Sequence, residues 1–382
     1  MLVSIVMAAS LGCSDSGGPT EPPSTTTVPP SSGGRFVAEQ LLALPSFPTA
    51  MVFTSPNRLL YTEKGGFGGI RDASVRVVTD GILDPTPVIR FTDVETRAEM
   101  GLLGIALDPE YDTNRQVYVF YTHGSSSSNR VARFRDDGLG QGDADATIVL
   151  RDLPADRCGN HQGGSLGFGL DGMLYVSIGD NGCDACLSQD DSTLAGKLLR
   201  FTRDGGIPPD NPFADAAFPR SAFFVKGLRN SFDFAVHPES GEIVATENGP
   251  RENDEINHLV AGANYGWPVF QCDQDFGNDC PRPRPTQKGP LRCHQSVVAP
   301  TGVTFYEGSA YPADFRGSLF YGDFNTGTLR RLVLSGDADT LLTEDQRFLP
   351  GFGSIIDVVS GLDGRIYVLT DSDIQRVDFV EN

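Results

Sequence analysis

A single histidine stands in a glycine-rich turn in the stretch GNHQGGSLGFGLDGMLYVSIGD (159–180), directly before an alternating apolar strand. A neutral imidazole accepts a proton near neutral pH, so a histidine that a substrate can reach is suited to act as a general base. Gly163 and Gly164 follow His161 and leave room for a ligand to approach the backbone closely. The alternative is a turn histidine bonded to nearby backbone. His161 is therefore the first candidate catalytic residue.

A second stretch, ENGPRENDEINHLVAGANYGWP (247–268), is rich in carboxylates. Calcium in proteins prefers several oxygen ligands and mixes carboxylates with backbone carbonyls. The carboxylates of this stretch are therefore candidate ligands for a metal ion. In the alternative interpretation, Asp254 and Glu255 are solvated charges and Tyr265 and Trp267 belong to the core.

Short strands must position these residues, because Gly (44) and Pro (26) are abundant and long helical runs are absent. One pattern recurs along the chain: an apolar strand, a turn with Asp-Gly, Ser-Gly or Pro, and a second strand of alternating apolar residues. Each copy predicts a β-hairpin. The six copies are 51–66, 105–123, 168–182, 235–249, 302–325 and 359–373. A further strand is predicted in 196–203 and in 327–334. We predict an all-β fold, a single six-bladed β-propeller over residues 36–380, with ligand-binding loops at one end of its channel.

The charge balance restricts the partners. The formal net charge is −20, so the surface repels phosphate backbones and anionic lipid and attracts divalent cations. Nucleic acid is therefore excluded as a predicted partner.

The amino-terminal segment predicts export. Residues 1–13 (MLVSIVMAASLGC) are a short apolar run that ends at Cys13, typical of a signal peptide with a lipobox-like end. Residues 14–35 are rich in Pro, Ser and Thr and predict a tether. We expect a protein of the bacterial cell envelope, lipid-anchored or secreted, whose only membrane contact is this anchor; an ordinary signal peptide is the alternative.

Six cysteines remain after Cys13, and an exported protein keeps such cysteines in an oxidising compartment. An even number fits disulfides, with 15 possible pairings. The pair Cys183 and Cys186 has the spacing of redox or zinc motifs, but no second such pair completes a zinc set. Disulfides between loops are the preferred interpretation.

Several stretches together resemble the glucose/sorbosone dehydrogenase family of propeller quinoproteins, which use pyrroloquinoline quinone (PQQ) and calcium, and which are related to hedgehog-interacting-protein-like propellers. The stretches are AEMGLLGIALDPEY (98–111), GNHQGGSLGFGLDGMLYVSIGD (159–180), GKLLRFTRDGGIPPDNPF (196–213), 225–268 with its GLRN, ENGPRENDEIN and NYGWP motifs, and APTGVTFYEGSAYPADFRGSLFYGDF (299–324).

The resemblance implies roles for individual residues. His161 corresponds to the catalytic base, and Arg229 would stabilise negative charge that develops on the quinone. Glu99, Arg229 and Asn230 would contact the cofactor. Four residues would bind calcium. The carbonyls of Gly249 and Pro250 would bind the ion at the cofactor, and the Glu255 side chain and the Tyr265 carbonyl would bind calcium at another site. Simpler alternatives are a loop cap for Glu99 and a structural salt-bridged pair for Arg229 and Asn230.

The sequence departs from the family where cations are expected for the three carboxylates of PQQ. Asn325 and Thr326 occupy one such region, and Ser354 and Ile356 the other. The leading prediction is an exported PQQ- and calcium-dependent dehydrogenase that oxidises a sugar (aldose-type) hydroxyl to a lactone and passes electrons to an unidentified acceptor. The alternatives are a non-catalytic cell-surface propeller that binds glycan or protein and a lactonase with a metal-activated water.

Overall fold

The computed structural model describes residues 33–138, 147–155, 158–272, 274–277, 280, 286–335, 338–343 and 345–382. The predicted signal peptide (1–13) and nearly all of the predicted tether (14–35) lie outside the described residues. The first strands are β1 (Gly34–Ala43), β2 (Pro48–Ser55), β3 (Arg58–Glu63), β4 (Ile70–Thr79), β5 (Ile82–Leu83), β6 (Ile89–Glu95), β7 (Leu102–Leu107), β8 (Gln116–His123), β9 (Ser128–Arg135), β10 (Ile148–Pro154), β11 (Leu166–Phe168), β12 (Leu174–Ile178), β13 (Lys197–Phe201) and β14 (Phe223–Lys226).

The later strands are β15 (Ser231–Val236), β16 (Ile243–Glu247), β17 (Asp254–Leu259), β18 (Phe270–Gln271), β19 (Gln274–Asp275), β20 (Arg292–His294), β21 (Pro300–Phe305), β22 (Leu319–Asp323), β23 (Thr328–Leu332), β24 (Gln346–Pro350), β25 (Ile355–Ser360), β26 (Ile366–Thr370) and β27 (Asp373–Glu381). Helical structure in the described ranges is limited to α1 (Tyr111–Asn114) and three short 3₁₀ turns, Ala185–Ser188, Arg220–Ala222 and Ala313–Phe315. No helix in these ranges is long and apolar enough to cross a bilayer.

The strands form antiparallel sheets that follow one another along the chain. Four sheets have four strands, in the orders β11-β12-β13-β14, β15-β16-β17-β20, β21-β22-β23-β24 and β1-β27-β26-β25. A nine-stranded sheet contains β2 to β10, and its two halves meet only at the pair Val94 and His123 of β6 and β8. The last sheet joins the first and last strands of the fold, since β1 pairs with β27.

The six predicted hairpins are confirmed. They are β2–β3, β7–β8, β11–β12, β15–β16, β21–β22 and β25–β26, all antiparallel. Their turns use the expected chemistry. In the third hairpin, Gly172 has φ +71°, a left-handed conformation that glycine adopts without steric cost, and the Asp171 carboxylate accepts from the backbone N–H of Met173 at 3.0 Å.

The first strands of these hairpins contact one another in chain order, and β25 contacts β2, so the ring is closed. Apolar side chains fill the space between neighbouring sheets; Tyr118 and Phe120 of β8, for example, pack with Leu174 and Val176 of β12. The protein is therefore an all-β propeller, as predicted, and the number of six blades stays a prediction.

Each hairpin opens toward the same face of the ring. A backbone hydrogen bond closes each open end, and five of these bonds join Phe47 to Lys64, Gly101 to Thr122, Asn230 to Asn248, Ala299 to Phe324, and Ser354 to Asp371. In the remaining hairpin, the N–H of Gly164 donates to the carbonyl of Ser177 at 3.0 Å. We call this face the mouth. Residues just before a first strand or just after a second strand are brought to it, although they are far apart in sequence.

Candidate active site

The predicted base lies at the open end of the β11–β12 hairpin. The His161 Nδ1 atom is 2.6 Å from Oδ1 of Asp180, a residue that the sequence analysis did not select. The His161 side chain is 13% exposed, and Asp180 is buried. Because Nδ1 faces a carboxylate, the neutral ring carries its proton there and its lone pair on Nε2. His161 therefore has the arrangement of a general base: Nε2 carries the lone pair, and the carboxylate of Asp180 contacts Nδ1.

Asp180 is held from several sides. Its Oδ2 accepts from the indole Nε1 of Trp267 at 2.8 Å, and its Oδ1 also accepts from the N–H of Gly182 at 2.8 Å. Burial by itself would raise the pKa of Asp180, but the hydrogen bond from His161 and the charge of Arg229 lower it below its ordinary value. The carboxylate therefore stays ionised, as stabilisation of an imidazolium requires.

A close backbone approach positions the histidine. His161 has φ +53°, unusual for a residue other than glycine. A Cβ on Gly179 would lie 2.2 Å from the His161 carbonyl oxygen, so only glycine fits at that position. The glycine before Asp180 thus allows the turn that carries the base to lie against the strand that carries its carboxylate.

Glu99 holds the same turn from the neighbouring sheet. Its Oε2 accepts from the backbone N–H of His161 at 2.6 Å, and its own N–H donates to the carbonyl of Gly159 at 2.9 Å. Burial raises the pKa of Glu99, and the nearby His161 and Arg229 oppose that rise. Glu99 also lines a cavity of about 240 Å³ inside the ring. It therefore caps a loop, as in the simpler interpretation, and faces a space open to ligands.

Arg229 and Asn230 are brought to the mouth beside the histidine. Both backbone N–H groups donate to Oε1 of Glu247, at 2.5 and 2.8 Å, and the carbonyl of Arg229 accepts from the N–H of Asp180 at 2.7 Å. The guanidinium donates through Nη1 to the carbonyl of Asn248 and lies 5.5 Å from the Trp267 ring. Its charge acts on the nearby Glu99, Asp180 and Glu247, and its buried Nε has no hydrogen-bond partner within the described residues. Both interpretations of Arg229, a contact to a cofactor and a structural pair with neighbouring groups, stay predictions.

The two predicted calcium positions differ in surroundings. Gly249 and Pro250 follow β16 at the mouth, and Pro250 lines a second cavity of about 320 Å³ together with Trp267 and Phe276. Glu255 lies below the mouth, buried, and faces Glu247 in strand register. Its carboxylate accepts from the N–H of Cys272 and from Asn257 Nδ2.

The surroundings of Glu255 are rich in oxygen. Burial and the facing Glu255 raise the pKa of Glu247 to about 8. Three buried oxygens near this pair have no hydrogen-bond partner: Glu247 Oε2, Asn257 Oδ1 and Gln271 Oε1. Tyr265 is buried nearby. Within the described part of the chain, no cluster of three His, Cys, Asp or Glu residues is arranged to hold a metal, so a cation here would depend on amide and carbonyl oxygens.

Among the described residues, no lysine or arginine side chain fills the two regions in which the family places cations. Ile356 lines the 240 Å³ cavity, where Lys64 is the one lysine or arginine among the described lining residues. Arg330 is paired with Asp323 (3.1 Å) and with Asp345. Arg331 lies over the ring of Phe315, 4.0 Å from its centre. The two arginines of β23 are thus committed elsewhere.

Three disulfides tie the loops of the mouth: Cys158–Cys183, Cys186–Cys280 and Cys272–Cys293. The expectation of disulfides between loops is confirmed, and Cys183 and Cys186 belong to different bonds. The first disulfide joins the turn that carries His161 to the segment that follows Asp180.

The chain is similar to known proteins over most of its length. The family model described as Glucose / Sorbosone dehydrogenase matches residues 46–377. Aldose sugar dehydrogenase YliI of Escherichia coli is 32% identical over 339 residues, which are 85% of this chain and 87% of that protein. The PQQ-bound aldose sugar dehydrogenase of Streptomyces coelicolor has a TM-score of 0.75 at 26% identity and covers 92% of this chain and all of its own. Human hedgehog-interacting protein is 27% identical over 241 residues, 54% of this chain and 33% of that protein.

Proposed function

Because the chain belongs to the glucose/sorbosone dehydrogenase family, we propose that it is a sugar dehydrogenase that oxidises an aldose-type hydroxyl to a lactone with PQQ and calcium. The observation that carries this proposal is the contact of His161 with Asp180, 2.6 Å apart at the mouth, beside the unpaired guanidinium Nε of Arg229. Oxidation of a C–OH group removes a proton and a hydride: a base takes the proton, a redox cofactor takes the hydride, and a cation nearby stabilises the negative charge that develops on that cofactor.

The residues fit the reacting end of such a cofactor. The Arg229 Nε is a buried donor without a partner, and the Asn230 side chain lines the cavity. We propose that these two residues, with Glu99 at the same cavity, hold the ring, and that the carbonyls of Gly249 and Pro250 hold its calcium. When bound, PQQ would supply a hydride acceptor and calcium would polarise its quinone carbonyl.

The protein's own residues handle the proton. The His161 Nε2 lone pair accepts the O–H proton of the sugar as the C–H bond breaks, and the product carbonyl forms at that carbon. Asp180 stabilises the imidazolium at Nδ1 and keeps the ring oriented. Arg229 stabilises negative charge that develops at the mouth, and the indole of Trp267 fixes the carboxylate of Asp180. A base of this kind contributes about 10²- to 10⁴-fold to a rate.

We also propose a second calcium position at Glu255 and the Tyr265 carbonyl, which the family resemblance implies and the oxygen-rich surroundings support. Two facing buried carboxylates repel one another, and a divalent cation would relieve that repulsion. The same surroundings give three oxygens without hydrogen-bond partners. We propose a structural role for this ion.

The three disulfides support an extracytoplasmic location, because such bonds persist in oxidising compartments. Export through a signal peptide with a lipobox-like end, and anchoring through Cys13, stay part of the proposal.

Reconstitution tests the proposed function. Purified protein is titrated with PQQ and Ca²⁺, and reduction of an electron-accepting dye is measured with a panel of aldoses. We expect quinone absorbance that stays with the protein on gel filtration and sugar-dependent dye reduction that EDTA abolishes. Bound PQQ without turnover on any sugar, or no bound PQQ at all, would reject the dehydrogenase.

A non-catalytic binding propeller is the second candidate. One observation favours it: Lys64 is the one cation among the described residues that line the inner cavity, whereas PQQ carries three carboxylates. Burial of carboxylates without cationic partners costs several kcal/mol per ion. If His161→Ala leaves glycan or protein binding unchanged and the wild type shows no turnover, this candidate replaces the first.

A further inference from the structure

A fully buried lysine lies beside the candidate active site. Lys197 is the first residue of β13 and has no exposed surface. Its ammonium has three N–H bonds, which donate to the backbone carbonyls of Leu187 (2.9 Å), Asp190 (3.1 Å) and Ala195 (2.6 Å). The centre of the Phe223 ring is 5.1 Å from Nζ. Every donor of the ammonium therefore has a partner, and all three partners are backbone carbonyls.

These three carbonyls, which we call the carbonyl cradle, surround one positive charge. Backbone carbonyl oxygens are also the groups with which proteins bind small cations. Burial and the nearby Lys226 lower the pKa of Lys197 to about 7. The carboxylates of Asp190 and Asp191 oppose this shift. Below this pKa the side chain is charged and connects three separate points of the segment 187–195.

The segment 187–195 contacts the residues around the proposed base. The Gln189 Nε2 donates to Asn264 Oδ1 at 2.9 Å and to the carbonyl of Trp267 at 2.7 Å. The indole of Trp267 donates in turn to the carboxylate of Asp180 at 2.8 Å. The segment therefore holds the backbone of the residue that fixes this carboxylate.

A second set of hydrogen bonds connects the same segment to two strands of the site. The Ser188 Oγ donates to the carbonyl of Leu228 at 2.7 Å. The N–H of Gly196 donates to the carbonyl of Gly179 at 2.8 Å, and its carbonyl accepts from the N–H of Leu228 at 3.1 Å. A Cβ on Gly196 would lie 2.2 Å from Ser188 Oγ, so this close approach requires glycine. Gly179 and Leu228 each stand one residue before a candidate site residue.

We propose that Lys197 is a positioning residue whose ammonium acts as a built-in cation for the carbonyl cradle. By holding the segment 187–195 together, it keeps Trp267 and Asp180 in contact. Its effect on a rate rests on the proposed function, whereas its effect on the surroundings of Trp267 does not. A displacement of about 1 Å near a reacting group can lower a rate about 10²-fold.

The test removes the ammonium and then returns it. Lys197→Ala leaves space for n-propylammonium, which has the three carbons and the nitrogen that alanine lacks. Trp267 is the single tryptophan of the chain, so its emission spectrum reports the surroundings of the indole. At pH 6, where the wild-type lysine is charged, we expect an altered emission spectrum in Lys197→Ala. Propylammonium should restore the wild-type spectrum, and the same concentration of neutral 1-propanol should not.

Lys226→Met is the matched control. Lys226 faces Lys197 in strand register, but its Nζ donates to the carboxylate of Asp191 at 2.6 Å. In the reconstituted enzyme at pH 6, we expect kcat to fall about 10- to 100-fold in Lys197→Ala, with a smaller change in KM for the sugar. Propylammonium should raise this kcat about 10-fold. Lys226→Met should keep a kcat near that of the wild type.

Lys197→Met keeps most of the volume of the side chain without its charge. It should lose kcat as Lys197→Ala does, and propylammonium should not restore it, because the methionine fills the space. Wild-type emission and kcat in Lys197→Ala would reject the proposal, as would equal recovery with propanol or an equal loss in Lys226→Met.

The remaining outcomes separate folding, positioning and activity. If Lys197→Ala folds with propylammonium but not with propanol, the carbonyl cradle is a cation site and the proposal stands. If it folds with neither, or if Lys197→Met has wild-type emission, the proposal is rejected. If propylammonium restores the emission spectrum but even the wild type oxidises no sugar, the proposed function fails and the positioning role stands.

Discussion

At the scale of single residues, the sequence pointed to His161, Arg229, Asn230 and Glu99 before any geometry was known, and the structure places these four at one mouth. It did not point to Asp180, which lies 19 residues beyond the base and has the closest contact with its ring. A signal was present: His161 precedes the predicted hairpin 168–182 and Asp180 lies near its end, and the two ends of a hairpin meet. Trp267 was assigned to the core in the alternative interpretation, whereas its indole N–H bonds Asp180.

Asp180→Asn tests the role of the carboxylate. Asparagine keeps the size of the side chain but cannot stabilise the imidazolium, so we expect kcat to fall about 10²- to 10⁴-fold, with KM for the sugar changed by much less. Steady-state kinetics of the reconstituted enzyme measure both constants. Asp184→Asn, a change in the same loop at an exposed residue that caps a 3₁₀ turn, is the control. A wild-type kcat in Asp180→Asn would mean that Asp180 does not assist the base.

At the scale of elements, the repeated sequence pattern predicted all six hairpins because its signals are local. Alternating apolar residues favour each strand, and a suitable turn residue reverses the chain. The loops beyond the hairpins were not predictable in the same way. Their geometry depends on contacts between sheets, such as the hydrogen bond from His161 to Glu99, and on cysteine pairings that spacing leaves open. Cys158–Cys183 is one such pairing, and it encloses both His161 and Asp180.

Removal of one disulfide should mainly lower stability, and removal of another should mainly lower activity. Cys158–Cys183 closes a 25-residue loop and Cys186–Cys280 a 94-residue loop, so chain entropy assigns them about 3.5 and 4.7 kcal/mol of stability. The double serine variant of the longer loop should therefore lose more stability. The double serine variant of Cys158–Cys183 should lose more kcat, about 10- to 100-fold, because it releases the base from its carboxylate.

Thermal denaturation and steady-state kinetics on the two double variants provide the comparison. We expect the Cys186–Cys280 variant to lose more stability and the Cys158–Cys183 variant to lose more kcat. If the variant with the larger loss of stability also had the larger loss of kcat, Cys158–Cys183 would have no particular role in positioning the base.

At the scale of the whole molecule, closure of the ring depends on polar contacts between sheets as well as on the apolar core. The Asp357 carboxylate of β25 accepts from the N–H of Met51 in β2 at 2.8 Å, which connects the last hairpin to the first. Asp233 of β15 accepts from Ser165 Oγ and from the N–H of Val303 in β21. Both carboxylates line the inner cavity. The sequence predicted the closed ring but not these acids, since Asp357 and Asp233 are indistinguishable from surface aspartates without the burial.

The buried Asp357 predicts a pH dependence of stability. Burial and the nearby Asp233 raise the pKa of Asp357 to about 7, above its unfolded value near 4. Between these two values the folded state binds a proton that the unfolded state does not, so the free energy of unfolding falls as pH rises through this window. We expect the wild type to be more stable at pH 5 than at pH 8. In Asp357→Asn, stability should fall less steeply as pH rises. Thermal midpoints at intervals of one pH unit measure it.

The exposed Asp215 provides the matched control for that series. Asp215→Asn should keep the wild-type slope. Equal slopes in Asp357→Asn and Asp215→Asn would show that Asp357 is not protonated in the folded protein near neutral pH.

We propose that His161 takes the proton of a sugar hydroxyl at this mouth. The most direct measurement mixes sugar rapidly with protein that already contains PQQ and Ca²⁺ and follows the absorbance of the bound quinone, in the wild type and in His161→Asn. We predict equal amounts of bound cofactor in both proteins and a rate of cofactor reduction that is about 10²- to 10⁴-fold lower in His161→Asn. Reduction at the wild-type rate in His161→Asn, with the cofactor bound, would contradict the assignment of the base.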